Sequence, residues 1–315
     1  MWLAVDSQGA IALRLTQIRD FLAVVECGGI RAAARKLGVS QPTITKSVRS
    51  LEAELRVQLF GRNARGIVPT ASGRAFFARA RVAHSELRKA EEEAAEFGGS
   101  SAGSVSFGVG PAFAALIVPQ AVVRFREQFP RARLRIVEGL ARNLLPAVRD
   151  ETLDFAMGLK TIAALDPALR FRPLYRTEFF VAARKGHPLR HARALAELAA
   201  ADWLAVSTLD LPGGEMERLF ASAGLPPQRP VIQCESHGIM VALLAGTDML
   251  GLMQRRLLKE SFARDLLLEI PIKESAPAVT AGIFTRADTP LTRVAAAMAR
   301  NLTAVARGLA SSRSR

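Results

Sequence analysis

An all-α N-terminal module of the winged helix-turn-helix kind with a long linker helix, followed by an α/β domain of two Rossmann-like lobes, is the fold class that this 315-residue sequence predicts. Three observations carry that prediction. Residues 30–49 hold two short apolar-periodic segments broken at Gly38, residues 70–97 repeat apolar positions alternately four and three apart, and from residue 104 onward strand-like and helix-like patterns alternate. The last is the signature of α/β units with parallel sheets.

Residues 1–12 precede the first patterned position and read as an N-terminal extension. The module proper spans 13–70. Ile18, Phe21, Leu22 and Val25 make an amphipathic helix over 16–27, ended by Gly28 and Gly29. Ile30, Ala33, Ala34 and Leu37 share one face of the next helix, and Gly38 can take the positive φ of a helix end and tight turn. Ser40 is an N-cap, with Gln41 and Pro42 in the first turn, where proline's missing N–H costs nothing. Ile44, Val48, Leu51 and Leu55 then point inward, which puts Gln41, Thr45, Lys46 and Arg49 on the outer side. VQLF, GRNARG and IVP read as two short strands around a basic tip, a wing carrying Arg62 and Arg65.

Charge agrees with that geometry. The chain carries a formal net charge of +14, and between Arg14 and Arg81 thirteen Lys and Arg face four acids. This is the footprint of a phosphate-binding surface. Gln41, Pro42, Thr43 and Thr45 are expected near base edges, and Lys46, Arg49, Arg62, Arg65 and Thr70 near phosphates.

Thr70 also caps the predicted linker helix, 71–97. Phe76, Ala80, Ala83, Leu87, Ala90, Ala94 and Phe97 keep a 3.5-residue period, which favours pairing with a second copy of the helix. A homodimer of this kind reads two half-sites about one helical turn apart or a multiple of it. Residues 98–104, GGSSAGS, are a flexible linker by composition. They contain a formal G-x-S-x-G from Gly99 to Gly103, but that nucleophile motif needs a strand before it and a helix after it, and here the order is reversed.

Within 105–312, strands are expected at VSFGVG, LRIVE, LDFAMG, WLAVS, VIQCE, MLGLM and VTAGIFTR. Helices are expected at 113–129, 144–149, 215–223, 238–244 and 291–309. PLYRTEFFVAARKGHPL runs extended from the first lobe into the second, and VTAGIFTR returns. Lobe I is thus 105–174 with 277–312, and lobe II is 175–276, a hinged clamp. Ligands of such sheets bind beyond the carboxyl ends of strands, where helix N-termini favour anions. Gly110, Pro111, Ala112 and Phe113, residues 139–141 with Leu140, Ser207 with Thr208, and Ser236 with His237 are the candidate effector contacts. Lys160 adds a positive charge at the mouth. Phe113, Leu140 and Met240 suggest an apolar wall suited to a small aromatic or branched acid.

Other chemistries fit poorly. Gly108 and Gly110 begin a dinucleotide fingerprint, but Phe113 stands at its third position. His84, His187, His191 and His237 are dispersed, no Cys-His cluster has metal spacing, and no catalytic constellation or cofactor motif is visible. Cys27 and Cys234 fall in different predicted domains, which argues against a disulfide. Without an 18-residue apolar run or a basic leader, the expected location is cytoplasmic, with no membrane partner.

Residues 15–73 resemble the DNA-binding domain of the LysR-type transcriptional regulators, through AAARKLGVSQPTITKSVRSLE, LFGR and PTASG. Gly29 and Pro69 depart from the family's usual serine and leucine. FREQFP, IVEG, LDFAMG, PLY, KGHPL and CES resemble, in order, the family's effector domain, which is similar to a periplasmic binding protein; PLY with CES resembles the regulators of aromatic sulfonate and aromatic acid degradation. Gly110 stands where the family often has serine. The resemblance implies no enzymatic activity and a small, anionic and aromatic effector between the lobes. It also implies a double-stranded DNA operator with an interrupted palindrome, linker-helix homodimers assembled as a dimer of dimers, a homotetramer, and RNA polymerase as a further partner.

Overall fold

The computed structural model describes residues 13–63, 66–97, 103–160, 165–206, 214–255, 257, 262–276 and 278–311. The chain divides into two units at Ala94 and Ala95. The expected linker at 98–104 therefore lies almost wholly outside the described residues, as do the extension at 1–12 and the G-x-S-x-G serine.

In the first unit, α1 (Leu15–Glu26), α2 (Ile30–Leu37) and α3 (Gln41–Leu55) precede a hairpin of β1 (Phe60–Asn63) and β2 (Gly66–Pro69), and α4 (Ala71–Phe97) follows. Phe21, Ala33, Ile44, Leu51 and Leu59 are fully buried and form one core. Phe21 meets Phe60 of the wing and Phe76 of α4 at centroid distances of 5.2 Å each, so α1 carries both. Gly38 closes α2 at φ 67°, the left-handed conformation its position in the sequence predicts.

Buried polar groups fix the orientation of α3. Gln17 Nε2 donates to Ser50 Oγ at 3.1 Å and to Glu54 Oε1 at 2.7 Å, tying α1 to α3. Glu52 Oε1 accepts from the Leu59 and Phe60 amides at 2.7 and 3.0 Å, tying α3 to the wing. A carboxylate that receives two backbone N–H groups is a strong, charge-assisted anchor.

The second unit holds two five-stranded sheets. Lobe I contains β3 (Ser104–Val109), α5 (Pro111–Leu116), α6 (Val118–Gln128), β4 (Arg133–Glu138), α7 (Ala141–Arg149), β5 (Phe155–Leu159) and β6 (Leu169–Thr177). Lobe II contains β7 (Phe179–Arg184), β8 (Trp203–Ala205), α8 (Glu215–Ser222), β9 (Ile232–Gln233), α9 (His237–Gly246), β10 (Leu250–Gln254) and β11 (Leu267–Glu269). Then β12 (Val279–Arg286) and α10 (Arg293–Ser311) complete lobe I. The sheet orders are β4-β3-β5-β12-β6 and β11-β7-β10-β8-β9.

Two expectations are corrected. The sheets are mixed rather than parallel, because β12 pairs antiparallel with β5 and β6, and β7 pairs antiparallel with β10 and β11. These are the strands that carry the chain between lobes, so they enter each sheet from the opposite end. The single helix expected at 113–129 is two, α5 and α6, separated at Ile117 with Pro119 in the first turn of α6. Proline there starts a new helix more easily than it continues an old one.

Candidate functional site

The outer face of α3 is open. Ser40 Oγ accepts from the Thr43 amide at 3.3 Å and shares a 2.8 Å hydrogen bond with the Thr43 hydroxyl, which fixes the first turn. Gln41, Pro42, Thr43, Lys46 and Arg49 are exposed, and all but Thr43 line one shallow depression with Thr45 and Ser50. Arg31 Nε, from α2, donates to Gln41 Oε1 at 3.2 Å, which engages the amide oxygen and leaves Nε2 as a donor. Arg31 was missed in the sequence because its role depends on the angle between two helices.

Some expected contacts read differently here. The Thr70 hydroxyl donates to the Gln58 carbonyl at 2.8 Å and accepts from the Gly73 amide at 2.9 Å, so its proton is committed to Gln58 while its oxygen caps α4. Arg62 lies on β1, and Arg65 lies outside the described residues.

Between the lobes of the second unit lies a cavity of about 290 Å³. Gly110, Pro111, Ala112, Phe113, Leu140, Lys160, His237 and Met240 all line it, as their positions after strands predict. Ser236 does not. Its hydroxyl accepts from the Ile239 amide as the N-cap of α9, and its residue lines a separate outer depression with Glu235 and Asn143. Ser207 and Thr208 lie outside the described residues.

The lobe I corner is less suited to an anion than expected. The Gly110 amide donates to the Met157 carbonyl at 2.8 Å, and Pro111, in the first turn of the six-residue α5, has no N–H. A Cβ on Gly110 would sit 3.1 Å from the Phe113 ring, so the glycine lets that ring close the corner. The family's usual serine would crowd it.

Lobe II supplies the polar end. His237 is 7% exposed, its buried Nε2 has no hydrogen-bond partner among the described residues, and burial lowers its pKa from the ordinary 6.5. Arg218, on α8, pairs with Glu215 at 3.5 Å while its buried Nε also has no partner among the described residues. Arg142 forms an ion pair with Glu235, and Asn143 Nδ2 donates to Glu235 Oε2 at 3.3 Å, so two side chains of α7 hold the opposite lobe. Lys160 is exposed, with Nζ 5.8 Å from the centre of the Phe171 ring. Met157, Met216 and Met253 join Met240 in the wall. None of these three was foreseen, because β5, α8 and β10 meet only in the folded domain.

A helix-turn-helix with an open polar recognition face, joined by a long helix to a two-lobed clamp enclosing a cavity, defines a ligand-responsive DNA-binding regulator. Residues 15–74 match the model described as "Bacterial regulatory helix-turn-helix protein, lysR family", and residues 98–307 match "LysR substrate binding domain". The chain belongs to the LysR family of transcriptional regulators; it is a regulator rather than an enzyme. It is 30% identical over 282 residues to the HTH-type transcriptional regulator GbpR of Azospirillum brasilense, covering 89% of this chain and 82% of that protein. It is 28% identical over 292 residues to the SDS degradation transcriptional activation protein of a Pseudomonas species, covering 90% and 94%. The crystal structure of CbnR, a LysR family transcriptional regulator, superposes with a TM-score of 0.67 at 19% identity over 93% of this chain and 99% of that one, a likeness of fold. Among the described residues, no helix is long and apolar enough to cross a membrane.

Proposed function

We propose that this regulator binds an interrupted-palindrome operator as a homodimer joined through α4, itself paired into a homotetramer. A small anionic effector in the inter-lobe cavity then alters transcription of a metabolic operon through RNA polymerase. The observation that supports the DNA reading is the exposed row Gln41, Lys46 and Arg49, with Gln41 held by Arg31. Gln41, Pro42, Thr43 and Thr45 meet base edges, and Lys46, Arg49, Arg62 and Arg65 meet phosphates.

Leu87 supports the dimer. Phe76 and Ala80 of the seam pack into the N-terminal core, whereas Leu87 remains 44% exposed. The cavity supports the effector reading, since it lies where closing the clamp would change lobe angle. A ligand can shift that equilibrium only as far as its affinity differs between the two states.

The division of roles on α3 is tested by quantitative binding to operator and scrambled DNA over a salt series. Gln41→Ala should lose about 1 to 3 kcal/mol of discrimination at one base pair. Arg49→Ala should weaken binding to every sequence and reduce the salt slope by about one. Equal losses on all sequences for both variants would overturn the assignment.

A further inference from the structure

Among the described residues, most of the cavity wall is apolar. Phe113, Leu140 and Met157 come from lobe I, and Met216, Met240 and Met253 from lobe II. Four of the chain's seven methionines therefore meet around one small space. Methionine is unbranched and polarizable, and it adapts its shape to apolar guests of different outline. At about 290 Å³ the space lies at the small end of ligand pockets, which begin near roughly 300 Å³.

The charges around the cavity nearly cancel. Arg142 is paired with Glu235 and Arg218 with Glu215, while Lys160 stands exposed at the mouth. Gln254 also contributes to the lining, without charge. Among the described residues, two polar atoms in the wall are buried and unpartnered, His237 Nε2 and Arg218 Nε, and both belong to lobe II. A buried donor left without a partner is costly, so a ligand head that accepts from it is favoured there. On lobe I, the Gly110 amide is already used and Pro111 has none.

We infer that the effector is an apolar molecule with a single polar head carrying at most one negative charge. The head is held by His237 and Arg218 of lobe II, and the body lies against the methionine-lined wall and the Phe113 ring. This rests on the reading of the inter-lobe cavity as the effector site. Among the described residues, a dianion would find only one uncompensated cation, at the mouth, and a polyhydroxylated acid would leave its hydroxyls facing thioether and aliphatic groups.

Calorimetric titration of the full chain with butanoate, hexanoate, octanoate, decanoate and 4-phenylbutanoate, beside octanedioate and gluconate, tests this. Affinity should rise about fourfold per added methylene until the cavity is filled. Octanedioate and gluconate should bind at least a hundredfold more weakly than octanoate. His237→Ala should weaken octanoate binding about tenfold, and His237→Gln, which keeps a side-chain donor, should restore most of it. Octanedioate or gluconate binding as tightly as octanoate, and in a His237-dependent way, overturns the single-headed apolar class but keeps the cavity as the effector site. Octanoate binding that ignores His237→Ala, His237→Gln and Met253→Ser together overturns the cavity reading itself. No binding by any of the apolar acids also overturns the inference.

Discussion

At the scale of single residues, His237 shows how burial and function meet. It occupies the first turn of α9, faces the cavity, and has no partner for Nε2 among the described residues. Burial disfavours the charged imidazolium, so its pKa lies below 6.5 in the folded chain and near that value in the unfolded one. The unfolded state then binds the proton more readily. Stability is complete above pH 6.5, falls as pH drops through that value, and levels off below the folded-state pKa. Denaturant titrations at pH 7.5 and 5.5 should show a larger loss for the wild type than for His237→Gln. Equal losses would assign the acid sensitivity to other groups. Arg31 and Gln41 show the complementary case, in which an exposed side chain is oriented rather than titrated.

At the scale of elements, the wing and the linker helix are held by a few close approaches. Gly73 lies in the first turn of α4, where a Cβ would run into the Leu59 carbonyl. Gly73→Ala should therefore destabilise the N-terminal unit by about 1 to 3 kcal/mol, as overpacking does, and weaken binding to all DNA sequences. An unchanged melting temperature would show that α4 can shift away without loss. Farther along α4 the expectation is different. Leu87→Asp removes little from the N-terminal core, since Leu87 is 44% exposed and lies outside that core cluster. It should leave unfolding of that unit within about 0.5 kcal/mol of the wild type while sedimentation shows dimers giving way to monomers. A dimer that persists would place the pairing surface elsewhere. The α4 helix itself was legible from its 3.5-residue period and its Thr70 cap. That the Thr70 hydroxyl is spent on the Gln58 carbonyl was not, because this contact spans twelve residues and depends on the wing.

At the scale of the whole effector-binding domain, the lobes are tied across their mouth by Arg142 and Asn143 meeting Glu235. Both partners of the ion pair are about half exposed, so its contribution to stability is small, on the order of 0 to 1 kcal/mol. Its effect should appear in opening instead. Arg142→Ala should speed amide exchange around residues 232–237 and in α7 while global stability changes by less than about 1 kcal/mol. Exchange that stays the same would mean the covalent crossings alone set the lobe angle.

The sequence by itself determined the parts whose cause is local. The turn at Gly38, the Ser40 cap, the inward set Ile44, Val48 and Leu51, and the apolar strands of both lobes all follow from spacing, backbone preference and burial within a few residues. The return of VTAGIFTR to lobe I was also legible, and β12 lies in that sheet between β5 and β6. Tertiary structure alone decided the antiparallel pairing of the crossing strands, the gathering of Met157, Met216, Met240 and Met253 at one cavity, and the exclusion of Ser236 from it. Sequence periodicity shows which side of an element turns inward. What that side meets depends on how elements far apart in the chain pack, and the chemistry of the cavity is made entirely of such meetings.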